Sequence, residues 1–104
     1  MVPDELRRRI RTSLDAAFGP RFKGVVLYGS EARGDAGPES DIDLLVLLDG
    51  KLDLGKDIRT AVDALCPFIL ETGRVLEAQP VELKAYEAAE FALYRNAKRE
   101  GILL

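Results

Sequence analysis

The fold of this chain is decided by the stretch Gly29-Ser30-Glu31-Ala32-Arg33-Gly34-Asp35-Ala36-Gly37-Pro38-Glu39-Ser40-Asp41-Ile42-Asp43. One apolar run, Val25-Val26-Leu27-Tyr28, precedes it, and another, Leu44-Leu45-Val46-Leu47-Leu48, follows it. Short apolar runs bounded by glycine and other turn residues are typical of buried strands. The stretch therefore predicts two strands joined by a glycine-rich turn, with a carboxylate-x-carboxylate pair where the second strand begins.

The carboxylate pair is Asp41 and Asp43. Side chains two residues apart in a strand point to the same face and are separated by roughly 6.5–7 Å. We therefore expect Asp41 and Asp43 on one face and Ile42 in the core. Two neighbouring carboxylates repel each other unless a cation lies between them. Oxygen ligands suit Mg²⁺ or Mn²⁺, which take their remaining ligands from water and from substrate phosphates.

The turn Gly29-Ser30 has the character of a phosphate site. Glycine lacks a Cβ, so a phosphate can approach the backbone at Gly29. We expect Ser30 to cap a short helical turn over residues 31–33, whose first N–H groups would face an anion. Arg33 can add a planar cationic fork to the same phosphate.

The spacing Gly-Ser, ten residues, Asp-x-Asp resembles the signature of the DNA-polymerase-β-like nucleotidyltransferase superfamily. The longer string Gly29-Ser30-x-Ala32-Arg33-Gly34…Ser40-Asp41-Ile42-Asp43-Leu44-Leu45-Val46 resembles its minimal nucleotidyltransferase branch. That resemblance implies an α/β (α+β) fold with a small mixed sheet of about three strands flanked by helices. Members of this branch are small prokaryotic proteins, often the antitoxin of a pair with a helical HEPN-domain toxin.

The resemblance also implies roles for the motif residues. The substrate would be a nucleoside triphosphate and the cofactor Mg²⁺ or Mn²⁺, with Asp41 and Asp43 as metal ligands and catalytic residues. Nucleotide binding would fall to Gly29, Ser30, Arg33 and Ser40.

Active members of the superfamily use a third carboxylate on a neighbouring strand, usually an aspartate. It completes a second metal site and can take the proton of the attacking hydroxyl. The corresponding stretch here, residues 74–83, contains no aspartate. Glu77 is our candidate for the third acid, with Glu82, Glu71 or none of these as the alternatives.

Two hypotheses follow about activity. In the first, the protein is a Mg²⁺-dependent enzyme that moves a nucleoside monophosphate, AMP from ATP, onto a hydroxyl group. A chain this short leaves little room for acceptor recognition, and family analogy makes the acceptor a tyrosine of a HEPN toxin. In the alternative, it is a catalytically weak or inactive subunit that acts by binding its partner. Phe91, Tyr94 and the tail 102–104 could lie in that interface, whereas the default expectation is that they are buried in the protein's own core. Homo- and hetero-oligomers are both compatible with the sequence.

Length and composition limit the remaining possibilities. The length of 104 residues predicts a single domain over residues 1–104, which the resemblance implies is a nucleotidyltransferase domain. One cysteine and no histidine exclude an internal disulfide and argue against zinc and histidine acid–base chemistry. A net charge of −3 argues against direct nucleic-acid binding. No segment resembles a signal peptide or a membrane span, so we expect a cytoplasmic protein with no membrane partner.

The other elements follow from hydrophobic periodicity. We expect helices over residues 3–18, from 53 or 54 to 72, and over 87–99, strands over 22–28, 40–48 and 74–83, and an apolar tail from Ile102. In the second helix, Ile58, Val62, Leu65 and Ile69 form the predicted core face. Pro67 predicts a kink or a break near Cys66, itself predicted to be a core residue.

Overall fold

A computed structural model describes residues 2–34, 37 and 40–104. The remaining motif residues, Asp35, Ala36, Pro38 and Glu39, lie outside the described residues. The helices are α1 (Asp4–Phe18), α2 (Ser30–Arg33), α3 (Leu54–Thr72), α4 (Leu83–Glu87) and α5 (Ala92–Glu100). The strands are β1 (Phe22–Tyr28), β2 (Ile42–Leu48), β3 (Leu76–Glu82) and β4 (Ile102–Leu103).

The strands form one sheet in the order β3-β2-β1-β4. β1 is antiparallel to β2 and β4, whereas β2 and β3 are parallel. The expected mixed sheet is therefore confirmed. The expected strand count of about three was too low, because the tail from Ile102 forms β4 and pairs with Val26 and Leu27 of β1. The apolar tail thereby pairs the backbone along the otherwise open edge of β1.

Helices cover both faces of the sheet, so the central strands are buried on two sides. Along β2, Leu44, Val46 and Leu48 pack with residues of α1 and α3. Leu45 and Leu47 point the other way, into a smaller cluster with Ala97 of α5 and, at its margin, Tyr86 of α4. Because strand side chains alternate, Asp43 shares the α5 face with Leu45 and Leu47.

Helix α3 corrects two predictions. It continues through Pro67 to Thr72 without a break, since Leu65 and Phe68 on either side of the proline are packed into the core. Its buried residues are Asp57, Ala61, Leu65 and Phe68, whereas Ile58, Val62 and Cys66 are exposed. The helix carries apolar residues on two faces, so periodicity alone could not identify the face that is buried.

The C-terminal helix was also predicted incorrectly. The structure has two helices, α4 and α5, where the sequence predicted one helix over residues 87–99. Ala89, between them, has a positive φ of 52°, a conformation that does not continue a helix.

In the part of the chain that the structure describes, none of the helices combines the length and the apolar character that crossing a bilayer requires.

The buried Asp57 makes stability depend on pH. Both guanidinium nitrogens of Arg21 donate to its carboxylate at 2.9 Å, and the Asp53 N–H donates at 3.0 Å. The hydrogen bonds from Arg21 lower the pKa of Asp57, and they outweigh the opposing effect of burial. Because the folded pKa lies below the unfolded value, the stabilisation is complete above that value, about pH 4, and is lost as pH falls through the folded pKa.

We expect Asp57→Asn to lower the free energy of unfolding by about 2 kcal/mol at pH 7. The loss is smaller than for a fully buried ion pair, because Arg21 is partly exposed and solvent screens its charge. The deficit should shrink steadily below pH 4. Urea unfolding at pH 7 and pH 3 measures it, with Asp15→Asn on the exposed face of α1 as the control. A deficit independent of pH would contradict the prediction.

Candidate active site

Asp43 lies at the centre of the candidate site. The register pairs it with Tyr28 on β1 and with Glu77 on β3. Residues paired on adjacent strands are about 4.8 Å apart in the hydrogen-bonding direction and share a face. The sheet therefore brings Tyr28, Asp43 and Glu77 side by side on the α5 face. Ile42 is buried in the opposite cluster, as predicted.

The turn after β1 touches the same carboxylate. A Cβ added to Gly29 would lie 2.6 Å from Oδ2 of Asp43, closer than real Cβ atoms approach. Gly29 also has φ 74° and ψ −151°, a region that is essentially restricted to glycine. Glycine is thus required here twice, by backbone conformation and by the position of Asp43.

The charges around Asp43 show which groups converge on it. Its pKa is raised by burial, then by a hydrogen bond and charge repulsion from Glu77, and further by the charge of Asp41. The charge of Arg33 acts in the opposite direction. Burial, Asp43 and Glu77 also raise the pKa of Tyr28. Arg33, Asp41 and Glu77 therefore all lie within electrostatic range of one carboxylate.

The other two candidates for the third acid are elsewhere. Both oxygens of Glu71 accept hydrogen bonds from Arg9 of α1, at 2.9 and 3.0 Å. Glu82 pairs with Leu48 at the far end of β3. Only Glu77, among these three glutamates, lies beside Asp43.

Helix α2 corrects the prediction for Ser30. The N-cap is Gly29, and Ser30 is the first helical residue, partly buried; within the described residues no side chain caps this helix. The Oγ of Ser40 accepts a hydrogen bond from the Gly37 N–H at 2.9 Å. This bond gives Ser40 a part in shaping the loop, and nucleotide contact by Ser30 and Ser40 stays a prediction.

An ion pair that sequence reasoning missed holds the motif segment on the sheet. Glu31 of α2 is buried and pairs with the guanidinium of Arg74, which precedes β3. The Nε of Arg74 also donates to the Ser40 carbonyl at 2.9 Å. Arg74 thereby joins the start of the motif segment to the residue before Asp41. A pairing over 43 residues leaves no periodic signal in the sequence.

A cleft opens beside this cluster, between the end of β1 and α5. Its volume is about 250 Å³, and its lining residues are Tyr28, Gly29, Arg33, Leu93, Asn96, Ala97 and Glu100. Because Gly29 and Arg33 belong to both the cleft and the surroundings of Asp43, the cleft and the carboxylates form one continuous site.

The carboxylates fit a divalent cation in their chemistry. Asp43 and Glu77 are hydrogen-bonded and repel each other when both are ionised, a repulsion that a cation between them would relieve. Within the described residues, no three acidic, cysteine or histidine side chains are close enough together to form a ready-made metal site. The described chain thus offers a carboxylate pair, with Asp41 nearby and exposed.

Gly29→Ala should greatly lower the rate of nucleotide transfer while changing the free energy of unfolding only a little. The added Cβ must displace the Asp43 carboxylate, and displacement of a catalytic group by about 1 Å can cost about 100-fold in rate. The control is Gly50→Ala, which has a similar φ of 82° but whose new Cβ would meet no atom within 4 Å. Comparable losses of nucleotide transfer in the two variants, measured on folded protein, would contradict this role of Gly29.

Comparison with known proteins agrees with this geometry. The sequence model of the family described as nucleotidyltransferase domain matches residues 7–103. A proposed protein adenylyltransferase from Methanocaldococcus jannaschii is 30% identical over 93 residues, which cover 88% of this chain and 87% of that protein. The crystal structure of a proposed nucleotidyltransferase from Sulfolobus solfataricus superposes with a TM-score of 0.60 at 21% identity, covering 95% of this chain and 76% of the other.

Proposed function

The chain belongs to the nucleotidyltransferase domain family and is a nucleotidyltransferase, and from that premise we propose that it transfers AMP from ATP to a hydroxyl group of a partner protein in a Mg²⁺-dependent reaction. The observation that carries this proposal is the convergence of Gly29, Arg33, Asp41 and Glu77 on Asp43 at the mouth of a cleft. The name of the M. jannaschii relative supports AMP as the group and protein as the acceptor.

The position of each residue in the site suggests its role in binding the metal, the phosphates or the nucleoside. Asp43 and Glu77, with Asp41, would hold Mg²⁺, which neutralises phosphate charge and positions the leaving pyrophosphate. The backbone at Gly29 and Ser30 would face the β- and γ-phosphates, and the Arg33 guanidinium would bind a phosphate oxygen. The nucleoside would extend into the cleft towards Asn96 and Glu100.

The transfer step needs an attacking oxygen, a base and a leaving group. The acceptor hydroxyl oxygen forms a bond to the α-phosphorus, and the bond from that phosphorus to the β-bridging oxygen breaks, which releases pyrophosphate. Glu77 would take the hydroxyl proton, because it lies directly beside Asp43 on the same face of the sheet. Most of the rate enhancement would come from positioning and charge neutralisation.

The proposed acceptor is the product of a neighbouring HEPN-family reading frame, in keeping with the resemblance to antitoxins. Incubating that protein with this one, ATP and Mg²⁺ should add one AMP, visible by intact-mass spectrometry and located by peptide fragmentation. Chelation of the metal should abolish the addition. Parallel reactions with GTP, CTP and UTP identify the preferred base, and no mass gain with any of the four would refute the proposal.

A second candidate function is neutralisation by binding alone, with weak or absent catalysis. It is favoured by the glutamate in place of an aspartate on β3, and by the carboxylate pair in place of a three-ligand cluster in the described part of the chain. The double variant Asp41→Asn/Asp43→Asn separates the two candidates. Neutralisation of the partner that survives this double substitution supports binding alone, whereas its loss, with the complex still formed, supports catalysis.

A further inference from the structure

Helix α3 carries a row of exposed apolar residues at every fourth position. The exposed fractions are 56% for Leu54, 40% for Ile58, 51% for Val62 and 81% for Leu70, and Cys66 is also exposed. We call these five residues the α3 stripe. At a rise of 1.5 Å per residue, the stripe is about 24 Å long. Contiguous exposed apolar surface of this kind marks an interaction site more often than a solvated face.

The stripe is a third face of a helix whose other sides are already packed. One side faces the sheet through Leu65 and Phe68. A second side faces α1, where the Ser13 hydroxyl donates to the Ala64 carbonyl at 3.0 Å and Arg9 pairs with Glu71. The stripe is therefore turned away from α1, and it lies on the opposite side of the sheet from the cleft beside α5.

The stripe is complementary to itself. A two-fold axis near Val62 that brings two antiparallel copies of α3 together places Leu54 of one copy by Leu70 of the other, and Ile58 by Cys66. Every apolar residue then meets an apolar residue.

The charges beside the stripe are complementary in the same arrangement. The adjacent i, i+4 row consists of Gly55, Arg59, Asp63 and Pro67, all exposed. About the same two-fold axis, Arg59 of each copy lies about 3 Å along the helix direction from Asp63 of the other, an offset that the long arginine side chain can span. Two ion pairs can therefore form between the copies. Gly55, which has no side chain, lies at the same offset from Pro67 and lets the helix ends approach.

From this geometry we propose that the α3 stripe is a homodimer interface, in which two copies pack α3 against α3 antiparallel about a two-fold axis near Val62. Such an interface is isologous, the commonest arrangement of soluble homo-oligomers. Both active-site clefts stay open, because they lie on the other face of each sheet.

The first test measures the oligomeric state of the full chain by sedimentation equilibrium or light scattering after size exclusion. The wild type should be a dimer at micromolar concentration. Val62→Glu brings two like charges together on the axis and should give a monomer with an unchanged circular dichroism spectrum. Leu103→Glu, at a still more exposed apolar position on the edge strand β4, is the control and should remain a dimer.

The second test establishes the register. Arg59→Asp and Asp63→Arg each create like-charge pairs across the axis, so each variant alone should dissociate about 10- to 100-fold more readily. An equimolar mixture of the two variants restores opposite charges between copies and should form a heterodimer. Pairing of Arg59 with Asp63 within one helix cannot be restored by mixing, so the result separates contacts between copies from those within one.

Three results would overturn the proposal. These are a wild type that is monomeric up to millimolar concentration, a dimer that survives Val62→Glu, and a mixture of the two charge variants that stays monomeric. A monomer whose stripe is covered only by a different protein belongs to the first of these results.

Discussion

Asp43→Asn should reduce nucleotide transfer by about 1,000-fold or more while leaving the fold intact. The amide keeps the shape of the side chain but removes the charge on which Arg33, Asp41 and Glu77 converge. Loss of a single preorganised electrostatic group in an active site typically costs about 100- to 1,000-fold, and metal binding adds to this loss. The measurement is transfer of label from α-³²P-ATP to the acceptor protein at saturating Mg²⁺.

The same substitution should stabilise the folded protein slightly. The pKa of Asp43 is raised by burial and by Glu77, so without metal the ionised carboxylate disfavours the folded state above its ordinary pKa. Lower activity together with equal or higher resistance to urea would thus distinguish a catalytic role from a structural one.

The matched control is Asp49→Asn, an exposed aspartate just beyond the opposite end of β2. It should keep transfer within about two-fold of the wild type, as expected for a surface substitution remote from the site. Asp43→Asn with activity near that of Asp49→Asn would remove Asp43 from the reaction and with it the enzymatic interpretation of this cluster.

The part of the site that the sequence predicted was the part governed by local geometry. The spacing of Asp41, Ile42 and Asp43 was enough to place Ile42 in the core, because strand alternation is a local property. Glu77 was named from its strand alone, and the parallel register then placed it directly beside Asp43. That register depends on how α3 packs, so the sequence could offer Glu77 only as one of several acids.

The rest was set by long-range pairing, which periodicity does not encode. The row Ile58-Val62 is as apolar as the row Ala61-Leu65, yet only the second is buried, and Asp57 of that same face is buried with Arg21 as its ion-pair partner. The tail from Ile102 forms a strand because it pairs with the edge of β1. The pairing of Glu31 with Arg74 joins two segments far apart in sequence.

The ion pair between Glu31 and Arg74 gives the largest stability effect that we expect. The Glu31 side chain is almost fully buried, and Arg74 is its charged partner. Arg74→Met would leave the carboxylate buried opposite a methionine and the Ser40 carbonyl without the Nε donor. Removing one partner of a buried ion pair costs about 3–5 kcal/mol of stability. The loss for Arg74→Met should be at the lower end of this range, because Arg74 is slightly exposed. We expect a loss of about 3 kcal/mol by urea unfolding at pH 7.

Two further variants identify the cause of that loss. The double variant Glu31→Gln/Arg74→Met removes both charges and should recover about half of the lost stability, since a buried carboxylate that has lost its guanidinium partner is costlier than two neutral side chains. Arg74→Lys keeps the positive charge but replaces the planar guanidinium with a single ammonium group. One ammonium cannot contact both Glu31 and the Ser40 carbonyl as the guanidinium does. The free energy of unfolding of Arg74→Lys should lie between those of the wild type and Arg74→Met.

The Arg74 variants should also lower activity, because Arg74 holds Ser40 and Ser40 directly precedes Asp41 of the active site. Because Ser40 directly precedes Asp41, a loosened segment lets Asp41 move away from Asp43 and Glu77, and transfer by fully folded Arg74→Lys should fall about ten-fold. Its KM for ATP and its apparent affinity for Mg²⁺ should weaken together. Arg8→Met, at an exposed arginine on α1, controls for loss of a positive charge. If Arg74→Lys weakens stability but leaves Mg²⁺ affinity at the wild-type value, the ion pair holds the fold and does not position Asp41.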